Sequence, residues 1–177
     1  MMRSVWESLE EELRRFAPKH LTYLRVGATS ERIAAAEHSL SCRFPNDLRQ
    51  SLEIHDGCLR GQNSENVLIV FELYDCERIV AATLELRTEQ MVNRPFEERG
   101  GWKESCLMIG ASPAGWQLVA DTTDGRVFVY VCNNYAIAIA KSFSSYMEGL
   151  LFNLRAGTFT SYADGTITME DWGEHFG

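Results

Sequence analysis

The sequence predicts a single α+β domain, with a largely antiparallel sheet and helices packed around it. Apolar residues recur at helical spacing through the N-terminal third of the chain. The stretch from Cys106 to Ala140 consists of short apolar runs separated by turn residues, which is the pattern of antiparallel strands. A chain of 177 residues, 45% of them apolar, is also long enough to bury one substantial core. We therefore assign residues 1–157 to the domain and residues 158–177 to a C-terminal extension.

The first helix is predicted from Ser4 to Phe16. Ser4 and Glu7 have the spacing of a capping box. The apolar residues expected to face the core recur every three or four positions, at Trp6, Leu9, Leu13 and Phe16. Glu10 and Arg14 stand four apart in the order that favours an ion pair on the solvent face. Pro18 then ends this helix.

Residues Gly27 to Gly57 predict two short helices joined by a sharp turn. Thr29 or Ser30 can cap the first helix. Its narrow apolar stripe occupies the positions Ile33, Ala36, Glu37 and Leu40. Neither helix can bury its stripe in the other alone, so both need the sheet as a partner surface.

The second of these helices follows the Phe44-Pro45 turn. Proline suits the first helical position, because no backbone donor is needed there. The stripe of this helix consists of Phe44, Leu48, Leu52 and His55. We expect Gly57 to adopt the left-handed conformation that ends the helix.

The second half of the chain predicts mainly strands. Residues 67–73, VLIVFEL, are apolar enough for a buried strand, and Asp75 can cap a helix from Cys76 to about Met91. Four further strands are predicted at Cys106 to Ile109, Gly115 to Asp121, Arg126 to Cys132 and Tyr135 to Ala140. In the last strand, Ile137 and Ile139 would fill one face while the alternating alanines let a helix lie close on the other.

The predicted domain closes with a helix that begins at Ser144 or Ser145 and ends at Gly157. Within the extension, residues 159–169 predict a small hairpin around an Asp164-Gly165 turn. The tail that follows is acidic and aromatic, and we expect it to be loose or to dock on a partner or on the domain.

Composition restricts the possible partners. The net charge of −8 and a pI of about 5.0 argue against nucleic acid and suit a basic protein partner. The five cysteines form no CxxC pair, which indicates free thiols in a reducing compartment. Neither an export leader nor an apolar run long enough for a membrane span is visible, so we expect a cytoplasmic protein.

Catalytic, metal-binding and cofactor-binding patterns are missing from the sequence. His55, Asp56 and Cys58 form the one local cluster that suggests a nucleophile and a base, and a small hydrolase is a remote alternative. The structural interpretation is that His55 packs on the inner face of its helix and Asp56 shapes the turn before the glycine. Asp121 and Asp124 are explained by turn chemistry.

Two acidic segments are the candidate protein-binding residues. The long loop from Asn93 to Ser105 carries Glu97, Glu98 and Glu104. The tail adds three carboxylates around an aromatic residue of the type that anchors interfaces, namely Glu170, Asp171, Trp172 and Glu174. A basic partner would be attracted to these groups. The alternative is that they are solvated loop charges without any partner.

The order of several short motifs resembles the SUKH superfamily. The motifs are Trp6, Gly27-Ala28, Ser30-Glu31-Arg32-Ile33, Ala36-Glu37, Phe44-Pro45-Asn46-Asp47, and Ser51 to Gly57 with its Ile-His-Asp-Gly ending. Further along the chain, Cys76 to Val80, Ile109-Gly110, Asp121 and Lys141 to Phe143 fall where such proteins have comparable elements. The resemblance covers about Trp6 to Leu154.

The resemblance implies an α+β fold and a non-enzymatic role in protein binding. The superfamily contains bacterial toxin-immunity proteins, a fungal regulator of cell-wall synthesis and a domain of an F-box ubiquitin-ligase receptor. Our first expectation is therefore an immunity protein that binds and neutralises a toxin domain, and the acidic charge of the chain suits a basic one. A regulatory or scaffold domain is the alternative, and the oligomeric state is left open.

Overall fold

The computed structural model describes residues 2–59, 68–93, 103–131, 135–161 and 167–168. In these residues the helices are α1 Met2–Phe16, α2 Pro18–Leu21, α3 Ser30–Leu40, α4 Asn46–Ile54, α5 Cys76–Asn93 and α6 Phe143–Ala156. The strands are β1 Glu72–Leu73, β2 Cys106–Ala111, β3 Gln117–Asp121, β4 Val127–Val131, β5 Tyr135–Ala140, β6 Thr160–Ser161 and β7 Ile167–Thr168. The first five strands form one antiparallel sheet in chain order, and β6 pairs antiparallel with β7. The Asp164-Gly165 turn predicted between β6 and β7 lies outside the described residues. The predicted α+β class is confirmed.

The core lies between the sheet and the helices. Helix α1 packs against α4 and α6, while α5 packs against α3 and β2. Leu48 and Leu52 of α4 are buried, as the helical spacing predicts. Among the described residues the largest fully buried side chain is Trp6, whose indole Nε1 donates a hydrogen bond to the Ser51 hydroxyl over 2.9 Å. The first helix is thereby fixed to α4.

The first helix differs from the prediction at both ends. It begins at Met2, so Ser4 lies inside the helix and does not cap it. Met2 and Val5 are buried, and this packing extends the helix ahead of the capping-box residues. At the other end Phe16 is 47% exposed, with the Arg15 guanidinium 4.8 Å from its ring centre.

The end of α4 also differs from the prediction. The helix stops at Ile54, and His55 is already extended at φ −136°. Gly57 does have a left-handed φ of +68°, but its role is close packing, because a Cβ there would lie 2.4 Å from the Tyr74 carbonyl carbon. This approach lets the Cys58 amide donate to the Leu73 carbonyl over 2.8 Å.

Two predicted strands are interrupted. Of the predicted strand 67–73, the described residues 68–73 do not form one strand, because the chain turns at Ile69, which has a φ of +70°. Within them β1 is the regular part. In β5 the pairing register shifts between Val127 and Phe128 of β4, which marks a β-bulge. The simple alternation is lost there, so Ile139 is buried while Ile137 is 49% exposed.

The last helix begins earlier than predicted. Ser142 is its N-cap, and its hydroxyl accepts a hydrogen bond from the Ser145 amide over 3.1 Å. Gly157 ends the helix in the left-handed conformation, as expected. The predicted Asn133-Asn134 turn lies outside the described residues.

Candidate functional site: a fixed corner beside two open hollows

The corner between α3 and α4 is organised by a buried carboxylate. Glu37 falls in the apolar stripe of α3 and is 4% exposed. One of its oxygens accepts a hydrogen bond from the Phe44 amide over 2.8 Å. Arg49 and Arg43 donate to the other oxygen over 2.9 and 3.2 Å. The carboxylate therefore fixes the Phe44-Pro45 turn and neutralises part of the arginine charge.

A second buried carboxylate joins the end of α4 to the start of α5. Asp56 has no exposed surface, and its Oδ1 accepts a hydrogen bond from the Cys76 amide over 2.9 Å. Its Oδ2 lies 2.9 Å from Nη1 of Arg32 on α3. The same guanidinium reaches Glu77 over 3.1 Å. Asp56 thus connects three helices and does more than shape a turn.

The start of α5 repeats this pattern. Asp75 caps the helix, as predicted, by accepting a hydrogen bond from the Arg78 amide over 2.8 Å. Its second oxygen lies 3.1 Å from Nη1 of Arg25. The Arg78 side chain pairs with the buried Glu72 and stacks 4.0 Å above the ring of Tyr74. Each of these carboxylates is thus committed to a structural contact.

Asp47, in the Phe-Pro-Asn-Asp motif, acts on a distant element. Its Oδ2 accepts a hydrogen bond from the Ser144 amide over 2.7 Å, which satisfies a donor in the first turn of α6. Its Oδ1 accepts from the Leu48 amide over 3.0 Å. The motif therefore holds two helices together.

His55 and Cys58 do not form an activated nucleophile. The Nε2 of His55 lies 2.9 Å from a Glu10 oxygen, its Nδ1 lies 3.0 Å from the Arg25 carbonyl oxygen, and Trp6 packs edge-on at 4.7 Å. Burial raises the pKa of the Cys58 thiol to about 12, so almost none of it is thiolate at neutral pH. The histidine has a structural role, as the sequence favoured, but it takes this role as an extended residue beyond α4 and not from the inner face of the helix.

Cys76 and the β3–β4 turn give the same result. Burial raises the pKa of the Cys76 thiol to about 12 as well. Burial alone would raise the pKa of Asp121, but hydrogen bonds from the Thr123 hydroxyl and amide hold it below its usual range. In the ranges that the structure describes, no group of three histidine, cysteine or acidic residues could hold a metal ion.

Of the predicted protein-binding residues, the structure describes Glu104. It is exposed, and its backbone carbonyl accepts a hydrogen bond from Arg87 over 2.7 Å. The other six lie outside the described residues: Glu97, Glu98, Glu170, Asp171, Trp172 and Glu174.

Two open hollows flank the corner, and the sequence pattern indicates neither. One, of about 560 Å³, is lined by His38, Cys42 and Arg43, with the Arg43 side chain 83% exposed. The other, of about 380 Å³, lies between α1 and the segment before α3 and includes Val26, which is 91% exposed. The exposure of Val26 is visible only in the structure, so no sequence signal marks this surface.

Within the described ranges, no helix has the length and hydropathy needed to cross a membrane.

Comparison with known proteins gives one family. The model of the SMI1/KNR4 family (SUKH-1) matches residues 27–149, from the start of the corner into α6. The chain is 34% identical over 93 residues to a glucan synthesis regulatory protein of Neurospora crassa, and 42% identical over 56 residues to the cell wall biosynthesis/cell cycle regulator smi1 of Schizosaccharomyces pombe. It is 24% identical over 181 residues to F-box only protein 3 of Bos taurus.

These matches cover 52%, 32% and 94% of the chain, respectively. They cover only 17%, 11% and 35% of the relatives, so the chain spans about a third of their length or less.

Proposed function

The chain belongs to the SMI1/KNR4 family (SUKH-1), and we propose on that premise that it is a regulatory protein-interaction domain. It would act by binding a protein and changing what that protein does, with no turnover of its own. Two of the relatives carry names that describe regulators of glucan or cell-wall synthesis, which supports regulation above toxin neutralisation.

The observation that carries this proposal is the use of charge in the matched region. Glu37, Asp56 and Asp75 are buried, and each is bound by arginine or by backbone amides. None is left as a free acid or base, and Cys58 is kept as a thiol. A region whose ionisable groups maintain the shape of the corner suits recognition better than catalysis.

We place the interaction surface at the two hollows beside the corner. Arg43 offers an exposed cation at one of them and Val26 an exposed apolar side chain at the other. Both are held on a backbone that buried ion pairs and hydrogen bonds keep in position, so a partner would meet a preorganised surface.

The test places a photo-crosslinking amino acid at Arg43, Val26 or Glu104 of the full chain in its native host. The control position is Ala114, an exposed residue of the β2–β3 turn. We expect one discrete protein adduct from Arg43 or Val26 and none from Ala114. The purified partner should then change its own activity in the presence of this chain while remaining chemically unaltered. Adducts of equal intensity from Ala114, or a partner that is consumed, would contradict the proposal.

Toxin neutralisation by an immunity protein is the second candidate, and the net charge of −8 favours it where the partner is basic. It makes a different prediction for the same captured protein. A toxin expressed without this chain would arrest growth, and coexpression of the chain would restore it. A regulated partner would not be toxic when expressed alone.

A further inference from the structure

The two edges of the five-stranded sheet differ in whether neighbouring backbone covers them. At the β1 edge the chain continues the pairing, because the Cys58 amide donates to the Leu73 carbonyl over 2.8 Å. Leu24 then bridges to Cys58, and the Leu59 amide donates to the Tyr23 carbonyl over 2.6 Å. The short β1 strand is therefore covered by neighbouring backbone.

The other edge is β5, and within the described ranges its one strand partner is β4. The strand Tyr135–Ala140 reads YAIAIA, with no charge and no proline. Soluble proteins usually protect an edge strand by shortness, charge, proline, a bulge or a covering element. Here the bulge affects the pairing near Ile139, so residues 135–138 keep a regular register with β4.

Side-chain exposure indicates an uncovered surface at the same place. Ile137 is 49% exposed, and the next residue, Ala138, is exposed as well. Successive residues of a strand point to opposite faces, so neither face of the sheet is covered at this point. Helix α6 packs against β5. Of the two isoleucines in this strand, Ile139 is buried and Ile137 is not.

We propose that β5 pairs with β5 of a second copy of this chain, antiparallel, in a two-fold symmetric dimer with one continuous sheet. A two-fold axis perpendicular to the sheet places residues of the same face opposite one another. Centred on Ile137, it sets Ile137 against Ile137 and Ala136 against Ala138. Large residues then meet large ones and small residues meet small ones, and β-branched pairs of this kind stabilise a sheet.

The sequence of β5 fits a second copy of the same strand as its partner. Its alternating pattern is complementary to itself in the antiparallel direction, and the paired strands bring no like charges together. Lys141, the first charged residue beyond β5, lies outside the paired strands. The interface is apolar while each copy carries a charge of −8, so added salt should strengthen the dimer by screening the repulsion.

The test is sedimentation velocity of the full chain over a range of concentrations and salt. Ile137→Lys places a charge on the edge, and Leu84→Lys is the matched control because Leu84, on α5, is 43% exposed. We expect wild type and Leu84→Lys to dimerise, and Ile137→Lys to weaken the dimer by about tenfold or more. Raising the salt should tighten the wild-type dimer.

A thermal melt checks that Ile137→Lys is folded, and Ala138→Lys, on the other face of the same edge, replaces it if it is not. A wild type that stays monomeric at every concentration, or edge variants as dimeric as Leu84→Lys, overturns the proposal. Pairing with a strand from another protein would then be the remaining use of the edge. A dimer that salt dissociates would also overturn it, because the interface would be electrostatic.

Discussion

The corner between α3 and α4 is built around buried charged residues, whereas the outer edge of the sheet at β5 has none. In the corner, Glu37 and Asp56 are buried, and arginine side chains reach both. Strand β5 contains no charged residue at all, and its central side chains are exposed. Charge holds the corner in one shape, whereas the lack of charge leaves the edge open to another strand. Removing a side chain should therefore affect folding at the corner and association at the edge.

The largest effect that this comparison predicts follows from removing a buried charge. Asp56→Ala leaves the Cys76 amide without its acceptor, and the Arg32 guanidinium loses its buried partner and keeps the exposed Glu77. We expect the free energy of unfolding, measured in urea, to fall by about 3–5 kcal/mol. Asp124→Ala, which breaks the exposed pair with Arg126, should cost less than about 1 kcal/mol. Equal losses for the two variants would remove the distinction between the corner and an ordinary surface.

Packing in the corner gives the next largest effect. Leu52 of α4 is 3% exposed, so Leu52→Ala should lower the free energy of unfolding by about 2–5 kcal/mol. Leu84→Ala makes the same chemical change where the side chain is 43% exposed, and its effect should be clearly smaller. A loss below about 1 kcal/mol for Leu52→Ala would contradict its place in the core.

Substitutions at two glycines distinguish the cost of a steric clash from the cost of backbone strain. Both Gly57 and Gly125 have a left-handed φ, +68° and +76°. A Cβ at Gly125 would meet nothing within 4 Å, whereas one at Gly57 would collide with the backbone of Tyr74. Gly125→Ala should cost about 1–2 kcal/mol in unfolding free energy, and Gly57→Ala about 1–3 kcal/mol more. Similar losses of unfolding free energy for the two variants would mean that the backbone around residue 57 shifts at little cost to admit the Cβ.

The smallest effect concerns the acidic loop predicted from the sequence. Reversing Glu97 and Glu98 to Lys should slow association with a basic partner several-fold at low salt, and most of that difference should vanish at high salt. The control reverses Glu53 and Glu85, two exposed carboxylates on α4 and α5. If both double variants associate at the same rate, the loop takes no special part in steering, and net charge alone sets the rate.

Sequence reasoning found most elements because their periodicity is strong. It located Leu48 and Leu52 in the core, the Asp75 cap and the antiparallel strands after Cys106. It treated Glu37 as part of an apolar stripe, because spacing alone does not show that Arg43 and Arg49 fold back to neutralise it. The local sequence pattern predicts whether a segment is a helix or a strand, whereas its tertiary contacts determine the role of a buried charge.

Other misses have the same origin. The run VLIVFEL is apolar throughout, so nothing in its alternation reveals the turn at Ile69. The exposure of Ile137 depends on a bulge that a simple two-residue period does not contain. For the candidate site, sequence identified acidic residues by loop length and charge. The hollow at Val26 arises from the packing of distant segments, and the hollow at Arg43 depends on how the chain turns at the end of α3.

The hydrogen bond from the Ser144 amide to Asp47 has a consequence for how the chain is made. Its two residues are separated by 97 positions, so the acceptor leaves the ribosome long before the donor exists. Until α6 has been synthesised, α1 and α4 both lack a helix that packs on them. A nascent chain that stops before residue 144 therefore presents an unfinished apolar surface, which is the kind of segment that chaperones hold.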